Sequence, residues 1–117
     1  MRVLTLLAVL FVSTTSFAPV NEQLLPTKLR ITIIDGLGNF VEGATVSIYE
    51  KKEDYLQSKN AFATLTSDSK GIVTFSDVKP MIYYVEAKKD EMNNHGEGVV
   101  TGTLAEGKIN KVNTVIE

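Results

Sequence analysis

The 117-residue chain has no cysteine and no tryptophan, and it has one histidine and three prolines. Without cysteine there is no disulfide framework, no thiolate metal site and no lipidated cysteine anchor. The fold must therefore be held by its core alone, which a chain of roughly a hundred residues can supply. With one histidine, His95, a multi-histidine metal site cannot be built, and a Ser-His-Asp arrangement would have to draw on a polar loop. Charge of one sign is also scarce. The formal balance is −2, from 12 basic and 14 acidic residues. Nucleic-acid partners demand a basic stripe that displaces phosphate counterions, so they are excluded. What remains is ordinary for one globular domain: 44% hydrophobic and 22% charged residues.

The only long apolar run lies at the N-terminus. Arg2 precedes Val3–Val12, which is apolar except for Thr5, and Ser13–Ser16 then turns small and polar. Ser16-Phe17-Ala18 places small residues at both positions that a signal peptidase reads, so residues 1–18 read as a cleaved leader. Ten helical residues rise about 15 Å, half of a bilayer's hydrocarbon thickness, so the run does not span. The expected protein is exported, periplasmic or secreted, with no lipid anchor and no membrane-spanning segment after cleavage. Residues 19–27, with two prolines, read as a linker, and 28–117 as the domain.

From Lys28 the chain alternates with period two. Leu29, Ile31 and Ile33 form one inward set, and Ala44, Val46 and Ile48 a second. Ala61, Ala63 and Leu65 begin a third strand, Val73 and Phe75 face inward on a fourth, and Tyr83, Val85 and Ala87 on a fifth. Val99–Leu104 and Ile109–Ile116 supply the last two. Turn chemistry separates them at Asp35–Asn39 and Ser67–Gly71. Glu50–Asn60 reads as a charged loop with room for one helical turn, and Asp90–Gly98 as a polar loop. The expectation is an all-β, seven-stranded antiparallel Greek-key sandwich. Its core is Ile31, Ile33, Val46, Ile48, Val73, Phe75, Tyr83 and Val85.

Two stretches carry a resemblance. Ile34-Asp35-Gly36-Leu37-Gly38-Asn39 with Val41–Val46, and Thr66–Phe75 with Val78-Lys79-Pro80 and Tyr83–Ala87, resemble transthyretin-like (prealbumin-like) domains. They are also similar to the carboxypeptidase regulatory-like domains of exported bacterial proteins. The resemblance covers roughly Lys28–Glu117, and the same sandwich hosts unrelated roles.

Active relatives of that sandwich imply residue sets that can be checked here. Transthyretin-like hydrolases of oxidised urate products use several histidines, an arginine and a C-terminal tyrosine motif, whereas this chain ends Thr114-Val115-Ile116-Glu117. Ring-cleaving dioxygenases bind iron through two tyrosines and two histidines, and the second histidine is missing. Collagen-adhesin B-type repeats join a first-strand lysine to a last-strand asparagine with a buried carboxylate assisting. For that bond Lys28, Asn113 and Glu86 are the residues to test, although Ile33 or Ile34 stands at the lysine position.

No catalytic residue, metal set or cofactor is expected. Asp90–Glu97 is rich in oxygen ligands but lacks the Asp-x-Asp-x-Asp-Gly spacing of a committed calcium loop. Glu50–Asp54 is a mixed-sign run that suits a solvated loop. Tyr49, Tyr55 and Tyr84 form either an aromatic platform for sugar or peptide, or ordinary edge cover. Two functions remain open. One is a non-enzymatic structural or interaction module that meets another envelope or surface protein. The other is a small-ligand or glycan binder using Tyr55, Asn93, Asn94 and His95. A glycan site should show an exposed aromatic beside polar groups, and an interaction module a free sheet edge or apolar patch.

Overall fold

The computed structural model describes residues 25–95 and 99–117. The expected leader (1–18), most of the linker (19–27) and the end of the polar loop lie outside the described residues. Two sheets face each other. One has the order β4-β1-β7, from β1 (Lys28–Asp35), β4 (Ile72–Phe75) and β7 (Ile109–Ile116). The other has the order β3-β2-β5-β6, from β2 (Thr45–Tyr49), β3 (Ala63–Thr66), β5 (Tyr84–Lys89) and β6 (Met92–Asn93). A six-residue helix, α1 (Lys52–Gln57), links β2 to β3 and buries no residue of its own.

Period-two alternation sorts the side chains as expected. Ile31, Ile33, Val46, Ile48, Val73, Phe75, Tyr83 and Val85 are all at most 3% exposed and share one core. The enclosed Tyr83 still satisfies its hydroxyl, which accepts the Lys79 N–H at 2.9 Å.

Both Asp turns work through their carboxylates. Asp35 Oδ1 accepts the N–H groups of Leu37 and Asn39, both at 2.9 Å, and Asp68 Oδ1 those of Lys70 at 2.8 Å and Ile72 at 2.9 Å. Gly71 has φ +75°, and a Cβ there would stand 2.5 Å from the Ile33 carbonyl oxygen. The β4 turn thus lies directly on the β1 backbone, and Ile33 N–H donates to the Gly71 carbonyl at 2.6 Å.

Several expectations need correction. The sandwich is not wholly antiparallel, because β1 and β7 run parallel over their full lengths, Lys28 opposite Ile109 through Asp35 opposite Ile116. The last strand returns to the first from the opposite sheet, and that crossover sets its direction. Val99–Leu104 is not a full strand. It meets β5 at one bridge, Tyr84 with Val100, and through two backbone bonds flanking it. The short β6 falls instead inside the expected polar loop, made by a turn with Asp90 at φ 54°. The third strand starts at Ala63 rather than Ala61, and its Leu65 is 41% exposed because β3 is an edge. Pro80 sits in a bend before β5.

Candidate functional site

The four residues expected to touch a ligand do not converge. Asn94 is fully buried, and this is a correction. Its Oδ1 accepts the Ala87 N–H at 2.9 Å, while its Nδ2 donates to the Val85 carbonyl at 2.9 Å and Thr114 Oγ1 at 3.0 Å. The side chain joins β5 to β7 across the open side of the sandwich and has no surface to offer. Asn93 lies half-buried in β6, where its backbone exchanges two hydrogen bonds with Glu117 and its Oδ1 accepts the His95 N–H at 3.0 Å. His95 is exposed. Only Tyr55 and His95 line a common groove, of about 300 Å³, which Leu56, Ser58 and Glu86 complete.

Glu86 and Ser58 were missed as members of that groove, although the facing of Glu86 follows from period two. Val85 and Ala87 point inward, so Glu86 points outward beside Ser47. Glu86 nevertheless is only 7% exposed, because α1 lies over it. Glu86 Oε1 accepts the Tyr49 hydroxyl at 2.8 Å, and Oε2 accepts the Ser58 hydroxyl at 2.9 Å. Lys88 Nζ approaches Oε2 at 3.9 Å. Ser58 is the left-handed residue that ends α1, so this carboxylate fastens the helix to the sheet. Tyr55 stacks on Tyr84 with ring centroids 6.0 Å apart and meets Tyr49 edge-on at 5.9 Å. Burial, and after it the charge of Glu86, push the hydroxyls of Tyr49 and Tyr55 above their usual pKa. The three tyrosines form a packed cluster over β2 and β5, the central strands of their sheet.

The isopeptide arrangement is not assembled. Lys28 stands opposite Ile109, whereas Asn113 stands opposite Thr32. Four residues at about 3.3 Å each separate them by roughly 13 Å along the strands, beyond one lysine side chain. Ile33 faces Thr114 in the interior, and Glu86 lies on the outer face of the other sheet. Among the described residues, no three His, Asp or Glu side chains gather as metal ligands.

The outer face of the β4-β1-β7 sheet is built differently. Alternation places Lys28, Arg30, Thr32 and Ile34 outward on β1, with Ile109, Lys111, Asn113 and Val115 beside them on β7. Arg30 and Lys111 are register partners, and Lys108 precedes β7. No carboxylate stands in this set. Among the described residues none of these four cations forms an ion pair, and the enclosed Arg30 Nε has no hydrogen-bond partner. A groove of about 520 Å³ opens between Leu25, Pro26, Lys28, Lys108, Ile109 and Lys111. β7 is also an edge strand, paired on one side with β1 and, among the described residues, tied near its end by the Asn94–Thr114 bond and by the backbone bonds of Glu117 with Asn93. At the far end of the face Phe40 is 64% and Leu37 89% exposed.

No protein-family model matches the sequence, and no curated protein matches it. The fold does match solved structures. Against the backbone protein of the group B streptococcus pilus 2b, the TM-score is 0.52 at 17% identity, covering 77% of this chain and 40% of that one. Against BcpA, the major pilin subunit of Bacillus cereus, it is 0.51 at 16% identity, covering 79% of this chain and 30% of that one. The chain thus spans less than half the length of these proteins. The likeness establishes an all-β, two-sheet sandwich architecture shared with domains of bacterial pilins.

Proposed function

We infer that this chain is an exported, non-enzymatic β-sandwich module of the cell surface that works by docking to other protein subunits. One observation carries the reading. Among the described residues the β4-β1-β7 sheet presents a free edge strand, an apolar groove and cations without an ion pair, while Tyr49, Glu86 and Ser58 of the opposite face bond among themselves. Unpaired sheet edges and apolar patches are where protein partners dock. The likeness to domains of a pilus backbone protein and a major pilin subunit supports a structural role. The glycan alternative is weaker, since Asn94 is enclosed and Tyr55 is stacked on Tyr84.

The finer assignments belong to the same reading. The carboxylate-bonded Asp35 and Asp68 turns and the close approach of Gly71 to β1 support a transthyretin-like, carboxypeptidase regulatory-like class. Residues 1–18 are a leader, giving a mature start at or near Pro19. The test is the mass and location of the native protein. It should be accessible to protease on intact cells, with an intact mass that begins near Pro19. The mass should lack the deficit of about 17 Da that loss of ammonia in an isopeptide staple would leave, a cross-link that would constrain the unfolded chain as a disulfide does. Full-length protein confined to the cytosol would refute the reading.

A further inference from the structure

The outer face of the β4-β1-β7 sheet also specifies what docks there. We propose that this face and the free edge of β7 receive an extended, acidic segment of a partner protein, added as a fourth strand beside β7. The inference rests on the docking reading above and adds the chemistry of the partner.

Three observations converge on it. Among the described residues the edge of β7 is open from Ile109 to Asn113, since β1 occupies only its other side and the β6 segment reaches β7 at Thr114 and Glu117. A strand laid there would set its alternate side chains beside Ile109, Lys111 and Asn113, within the 4.5–5.5 Å spacing of cross-strand pairs. The charge is of one sign: Lys28, Arg30, Lys108 and Lys111 gather at one end of the face without an ion pair among the described residues. Arg30 lies in the central strand as the register partner of Lys111, so its charge adds to the same end of the face. The composition also changes along the edge, from Lys111 flanked by the Leu25–Ile109 groove to Val115 beside Ile34, which Phe40 flanks on its other side. The partner strand should therefore carry outward acidic residues at the Lys111 end and apolar ones at the Val115 end. A membrane surface would use the lysines but leave the backbone edge unpaired, and it would not require such a gradient.

The test uses the full chain and two labelled octapeptides. In one, threonine alternates with two glutamates and then two valines; the other has the reverse order, because the two orders suit parallel and antiparallel addition. Fluorescence anisotropy should show saturable binding of one order. That affinity should fall about tenfold or more as ionic strength rises from about 0.01 to 0.15 M. The Lys28→Glu/Lys111→Glu double variant should lose binding by a similar factor, and a peptide with lysine for glutamate should not bind. Amide exchange must slow across Ile109–Asn113 on binding, which a merely electrostatic contact would not produce. Absence of saturable binding, binding without protection of β7, or preferential binding to phosphatidylglycerol vesicles would each overturn the proposal. If the peptides fail while the protein remains surface-exposed in a complex, the docking reading stands and only the acidic-strand partner falls.

Discussion

The two outer faces of the sandwich are made from the same alternation, yet they end in opposite states. On the β3-β2-β5-β6 sheet the outward residues Tyr49, Tyr84 and Glu86 are covered by α1 and bonded to one another or to Ser58. On the β4-β1-β7 sheet the outward Lys28, Arg30 and Lys111 have no acidic neighbour and no covering element among the described residues. The comparison teaches that an enclosed charge is not by itself a sign of a site. Glu86 is the most buried carboxylate described, but its oxygens are occupied by internal donors and it acts as a fastener. The cations on the other face, although more exposed, are the ones with capacity for a partner.

Mutations can break this contrast, beginning with the core that both faces share. Phe75→Ala should cost about 3–5 kcal/mol in denaturant melts and loosen both faces alike. A loss under about 1 kcal/mol would mean that β4 does not face inward. Glu86→Ala should cost about 2–4 kcal/mol, because the buried Tyr49 hydroxyl and the helix-ending Ser58 lose a charged acceptor. Tyr55→Ala, which removes two ring contacts, should cost about 1–2 kcal/mol. Lys111→Ala should leave the melt within about 0.5 kcal/mol, as expected for a surface change without internal partners. Equal costs for Glu86→Ala and Lys111→Ala would erase the distinction between the faces.

Acid and alkali should separate the regions in the same way. Backbone N–H groups hold the carboxyls of Asp35 and Asp68 below their usual pKa of 3.8, Asn39 chiefly in the first case and Ile72 in the second. A depressed folded-state value means stability that is complete above the unfolded value and lost as pH falls through the folded one. The turns that close β1 and open β4 should therefore loosen below pH 3.8, the value that both groups start from. Tyr49 and Tyr55 are shifted upward from 10.0, first by burial and then by Glu86. Their contribution is present below that value and lost as pH rises through the folded one, so the helix-covered face should open in alkali. Residue-resolved NMR across both ranges would read the two transitions; the same order of opening at both extremes would contradict the assignment.

How much of this was legible in the residues depends on the range of the interaction. Facing along a strand is local, and the inward sets of β1, β2, β4 and β5 follow from period two alone. The Asp35 and Asp68 turns are local as well. The parallel pairing of β1 with β7 joins residues some eighty positions apart, and no turn residue announces the direction of a crossover between sheets. Asn94 reads as loop because an amide in a polar run is ordinarily solvated. Its burial depends on carbonyls and hydroxyls that β5 and β7 bring to it. The fastening by Glu86 was half legible: alternation gives its direction, but nothing local shows that α1 will fold over it. The open face was legible only as scattered lysines, since Lys28, Arg30 and Lys111 become one patch when β7 lies parallel to β1.

Lysine footprinting tests the central claim most directly, because it needs no prior identity for the partner. The native protein on intact cells and the purified, folded chain would be acetylated under matched conditions and mapped by mass spectrometry. The account predicts that Lys28, Lys108 and Lys111 are protected on the cell and reactive in the purified chain, while Lys51, Lys52 and Lys59 around α1 react equally in both. Protection centred on the α1 lysines, with Lys28, Lys108 and Lys111 equally reactive in the two states, would contradict it.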